Sequence, residues 1–74
     1  MSPEKLTMMA NQISRFFAHL GPERAPGEIA DHLLKFWDPR MRREIIAFAG
    51  SGGAGLDPLA AAAVARLAGD AKVS

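Results

Sequence analysis

Gly50, Gly52 and Gly55 match the spacing G-x-G-x-x-G, which lets a backbone approach a pyrophosphate ahead of a helix N-terminus. That chemistry needs a strand before the glycines and a βαβ unit around them, and here a helical pattern precedes them. The segment is no P-loop either, because Leu56 and Asp57 stand where a lysine and a hydroxyl residue would be required. Gly50 to Gly55 reads as a flexible connector. The two histidines, His19 and His32, have no cysteine to join them, and no H-E-x-x-H pair places two ligands one helical turn apart. His19 falls at the end of a helix, where a cation suits the dipole, and His32 lies beside Asp31; both read as structural or surface groups. The carboxylates are scattered, and no Ser/His/Asp or Cys/His arrangement is legible. The sequence therefore assigns no catalytic, cofactor-binding or metal residues.

Arg40, Arg42 and Arg43, with Lys35 nearby, form the densest basic patch. Basic residues on the second helix of a helix–corner–helix invite comparison with helix-turn-helix proteins. Net charge is only +1 and Glu44 lies inside the patch; no further polar face could read base edges. A small helical nucleic-acid-binding or regulatory protein using Arg40, Arg42 and Arg43 is the alternative reading. Arginine beside Trp37 and Met41 fits a protein interface better, since Trp, Met and Arg are enriched there.

The elements that carry these residues meet at Phe36-Trp37-Asp38-Pro39-Arg40-Met41-Arg42. Proline pushes its predecessor out of the α region, so a helix ends near Trp37. Asp38 caps the next helix and Pro39 occupies its first position at no loss. Ser2-Pro3 and Asp57-Pro58 repeat this start signal. Leu6, Met9, Ala10, Ile13, Phe16, Phe17 and Leu20 fall within about 120° of one helix face. Met8 lies off that stripe. Ile29, Leu33 and Phe36 form one line on the second helix and Ala30, Leu34 and Trp37 a neighbouring one, an apolar arc of roughly 160° that calls for packing on two sides. Met41, Ile45, Phe48 and Ala49 line the third helix, with Arg42 and Ile46 as a separate basic–apolar pair. Leu59, Ala63, Val64 and Leu67 line the alanine-rich fourth. The expectation is an all-α single domain over 1–74: four short helices at about 3–20, 27–37, 39–49 and 58–68, a glycine-rich loop at 50–55 and a frayed tail at 70–74.

The composition narrows the class further. A chain of 74 residues buries only roughly 60–65% of its unfolded surface, and with no cysteine it has no disulfide or thiolate site to support it. Small domains of this kind often lean on a partner. No apolar run approaches the roughly 18 residues of a membrane span, and no secretory signal is legible. The expected compartment is cytoplasmic. Leu6, Ile13, Phe17, Ile29, Leu33, Ile45 and Phe48 are the expected core. Met8, Leu34, Trp37, Arg40, Met41, Arg42 and Ile46 are the surplus apolar and basic groups expected to bind a partner, with Trp37 as an anchor.

Three stretches carry a resemblance: Lys5-Leu6 with Met9-Ala10-Asn11-Gln12-Ile13 and Phe16-Phe17; Ile29-Ala30-Asp31-His32-Leu33 running into Phe36 to Arg42; and Gly52-Gly53, Gly55-Leu56 and Asp57-Pro58-Leu59. They resemble the delta subunit of soluble, molybdenum-containing, NAD-dependent formate dehydrogenase. The resemblance implies a non-catalytic accessory subunit without a cofactor of its own. Its partner is a large catalytic subunit with molybdopterin and iron–sulfur clusters, accompanied by flavin (FMN) and iron–sulfur subunits, with no nucleic acid and no membrane involved. Support of assembly or stability is the implied role. The purified chain is expected to carry no stoichiometric iron, molybdenum or zinc, which elemental analysis checks.

Overall fold

Side-chain caps set the helix starts. In the computed structural model, which describes residues 2–73 and the side chains of 2–69, the Ser2 hydroxyl accepts from the Lys5 N–H at 3.2 Å and opens α1, Pro3–Phe17. The Asp38 carboxylate accepts from the Met41 N–H at 2.9 Å and opens α3, Pro39–Gly50. Asp57 accepts from the Ala60 N–H at 2.8 Å and opens α4, Pro58–Val73. In each case proline follows the cap, where its missing N–H leaves no bond unmade. Four α-helices and no strand make up the described residues, so the all-α expectation holds.

The boundaries differ in instructive ways. α1 ends at Phe17 and tightens into a 3₁₀ turn, Ala18–Leu20, instead of running on as α-helix. α2, Ala25–Phe36, begins two residues before the expected Gly27. Pro26, ahead of the expected helix start, sits in the first turn, and the Ala25 N–H reaches the Gly21 carbonyl at 2.9 Å. α4 passes through Gly69 to Val73 rather than closing there. Of the expected frayed tail, Ser74 and the side chains of 70–73 lie outside the described residues.

The glycine-rich segment forms a hydrogen-bonded loop. The Gly53 N–H donates to the Phe48 carbonyl at 3.0 Å and the Gly52 N–H to Ala49 at 3.1 Å, closing the end of α3. Gly53 has φ +60°, and a Cβ there would stand 3.3 Å from the Ala49 Cα, so both the backbone conformation and the close approach favour glycine.

The core forms where α4 lies against α2, the most extensive helix pairing. Leu6, Ile29, Leu33 and Ile45 are fully buried as expected; Ile13, Phe17 and Phe48 are half-buried against them. Between these lie Ala10, Ala25, Ala30, Ala60 and Ala63, all buried, with Val64 and Leu67. Trp37, expected to anchor a partner, is only 5% exposed in the free domain and completes this cluster. It follows Leu33 by one turn, and its extended backbone (ψ 140°) ends α2 beside the corner. Phe36, which continues the Ile29–Leu33 line, is 71% exposed. The two neighbouring aromatics are thus sorted to opposite environments, the indole inward and the phenyl ring outward.

Asp38→Ala is expected to lower unfolding free energy by about 1 kcal/mol, and Trp37→Ala by about 3–5 kcal/mol. Urea unfolding followed by helical circular dichroism checks both.

Candidate functional site

Aromatic residues near the ends of α1 and α2 make the most distinctive surface. α1 carries its core stripe between two flanks. On one flank, Thr7, Asn11 and Ser14 recur at i, i+4 and i+7, within an arc of about 60°. On the other, Phe16 stands at the edge of the stripe and is 73% exposed. Its ring meets Phe17 edge-on, centroids 5.1 Å apart. Phe17 meets His32 of α2 at 6.1 Å, and His32 meets Phe36 one turn further along at 4.6 Å. Four rings thus run in contact across two helices, the outer two largely in water. Edge-to-face pairs of this kind are worth about 0.5–1.5 kcal/mol beyond area burial. They hold the rings in place while most of both terminal phenyl surfaces remains uncovered.

His19 lies just past α1, and its Nδ1 carries the proton donated to the Phe16 carbonyl at 3.1 Å. That bond satisfies a carbonyl near the helix end and ties the backbone beneath Phe16. Beside His32, Asp31 and Lys35 form an exposed i, i+4 ion pair at 2.9 Å, and the Asp31 carboxylate raises the Lys35 ammonium above its ordinary range. Among the described residues no three His, Asp or Glu side chains come together as metal ligands.

The seven residues expected to bind a partner are dispersed. Met8 is 58% exposed on α1, and lies within about 80° of Phe16 around that helix. Leu34 is 47% exposed, about 160° around α2 from Phe36. Arg40 is exposed. Met41 and Ile46 are half-buried against the core. Arg42 turns inward: its Nη1 donates to the Leu34 carbonyl at 3.2 Å and to the Trp37 carbonyl. The guanidinium therefore caps the C-terminus of α2, a use suited to a cation facing unsatisfied carbonyls. One nitrogen of the guanidinium expected to serve a partner is thus engaged within the domain. The basic patch loses its middle member, leaving Arg40 and Arg43 exposed on either side.

Phe16 and Phe36 were missed because each continues an apolar line. The signal lay in counting: two adjacent phenylalanines on α1 and a Phe-Trp pair on α2 cannot all enter a core lined by alanines. Asn11 and Ser14 were also missed. Asn11 donates to the Gly55 carbonyl at 2.8 Å and accepts from the Asp57 N–H at 2.9 Å, while Ser14 donates to the Asp57 carboxylate at 2.8 Å. Small polar residues at helical spacing beside an apolar stripe were the available cue.

Fold and surface together define a small all-α domain whose distinguishing feature is an exposed aromatic edge. The family model of the NADH-dependent formate dehydrogenase delta subunit, FdsD, matches residues 5–64, and the chain belongs to that family. No curated protein and no solved structure matches the chain. The protein is thus a subunit of an NAD-dependent formate dehydrogenase, and no helix among the described residues is long and apolar enough to cross a membrane.

Phe16→Ala and Phe36→Ala are each expected to cost less than about 1 kcal/mol of stability, because the rings bury little in the free chain. Arg42→Met should cost about 1 kcal/mol or more by freeing two carbonyls at the end of α2. Thermal unfolding of the three variants beside the parent checks the order.

Proposed function

We propose that this chain is a non-catalytic accessory subunit that docks on the large catalytic subunit of formate dehydrogenase and supports its assembly or stability. In this reading the molybdopterin, iron–sulfur clusters and FMN reside on the partner subunits, and this chain carries none. The observation that carries the docking reading is the four-ring edge, whose terminal rings, Phe16 and Phe36, are 73% and 71% exposed. Water contact on two phenyl rings fixed against their neighbours is costly for a free domain, and covering them returns roughly 25 cal/mol per Å² of apolar surface. Aromatic residues of this kind also dominate binding energy at protein interfaces. Met8 extends the same side of α1, whereas Leu34 and Arg40 would meet a partner only around the sides of the domain. The chain's own fold already uses Trp37 and Arg42, so they act on docking through the corner they hold.

Co-expression with the large subunit tests the proposal. The tagged chain should retain the large subunit on purification, identified by mass spectrometry. Phe16→Ser with Phe36→Ser should reduce the retained partner by about 30-fold or more, the loss expected for interface hot spots, while helical circular dichroism stays unchanged. A monodisperse free chain with no partner overturns docking itself. A folded double variant that still retains the large subunit fully overturns the assignment of the surface.

A further inference from the structure

The row Thr7, Asn11 and Ser14 faces the loop between α3 and α4. Asn11 grips that loop with both ends of its amide, at the Gly55 carbonyl and the Asp57 N–H. Ser14 adds a third bond, to the Asp57 oxygen that also caps α4. Thr7 makes none: its hydroxyl is buried and without a partner among the described residues. Gly55 lies over it, since a Cβ at Gly55 would stand 3.5 Å from the Thr7 Cγ2. On the other side of the loop, Gly52, Gly53 and Leu56 form one wall of an apolar groove of about 570 Å³, closed by Ala49 and by Val64 and Ala65 of α4.

We propose that residues 51–57 form a latched strap with its own opening equilibrium, held shut by Asn11 and biased toward opening by Thr7. The loop's polar attachment to α1 consists of three side-chain bonds, and its one large apolar group, Leu56, is only partly buried against the core. Its glycines regain more backbone freedom on release than any other residue type. The Thr7 hydroxyl recovers water when the strap lifts, which removes the cost of a buried unpaired group. Opening therefore lies below global unfolding in free energy. It uncovers the polar row of α1, removes a wall of the groove and loosens the α4 cap in one step. The strap is independent of which surface docks on a partner.

Amide hydrogen exchange on the full chain tests this, comparing the Leu56 and Asp57 amides of the loop with those of Leu33 and Trp37 in the core. In the parent chain the loop amides should exchange faster than the core pair. Asn11→Ala should accelerate loop exchange by about tenfold or more and leave the core pair unchanged, as expected for lost bonds to a buried segment. Thr7→Val, which keeps the shape and deletes the hydroxyl, should slow loop exchange by about fivefold or more. Loop and core amides exchanging in step overturn the strap, because it then opens only with the whole fold. Loop exchange unchanged or faster in Thr7→Val overturns the role given to the hydroxyl. Global loss of helix in Asn11→Ala shows that Asn11 holds up the fold and also overturns the latch.

Discussion

The close approach of α4 to α2 is the constraint on which the remaining structure depends. Alanines supply much of that contact, with Ala25 and Ala30 on one side and Ala60 and Ala63 on the other, all buried. Alanine gives little transfer energy per residue, but it lets backbones approach and costs no side-chain entropy in a helix. The larger groups Ile29, Leu33, Val64 and Leu67 then interdigitate around a short contact, in a body of 28 × 27 × 22 Å. Trp37 is enclosed at the end of α2, while Phe36 beside it and Phe16 on α1 are left largely in water.

This explains which parts of the fold were legible. Local chemistry predicted the starts of α1, α3 and α4, because Ser2-Pro3, Asp38-Pro39 and Asp57-Pro58 act over three or four residues. It placed the start of α2 two residues late, where Arg24 provides no side-chain cap. Helical periodicity identified Leu6, Ile29, Leu33 and Ile45 as buried. It did not separate Phe16 and Phe36, at the edges of their apolar arcs and exposed, from Trp37, near the middle of its arc and buried.

The candidate surface was less legible for a related reason. Sequence reasoning treated apolar or basic groups off the stripes as free for a partner. Arg42 shows the flaw: it is off the stripe yet committed to the Leu34 and Trp37 carbonyls. The glycine loop failed in the other direction. Its composition suggested slack, but Asn11 supplies a donor and an acceptor at the spacing that a neighbouring strand would offer. Family membership, by contrast, rests on residues 5–64 as a whole and needs none of these assignments.

The bonds from α1 to the α3–α4 loop join residues far apart in the chain: Asn11 and Asp57 are separated by 46 positions. During synthesis at 5–20 residues per second, Asn11 therefore waits roughly 2–9 s for its partner. In that interval the apolar faces of α1 and α2 have emerged, but the alanine face of α4 that covers α2 has not. Until the last third of the chain is made, the apolar residues that α4 covers in the finished domain have no such cover.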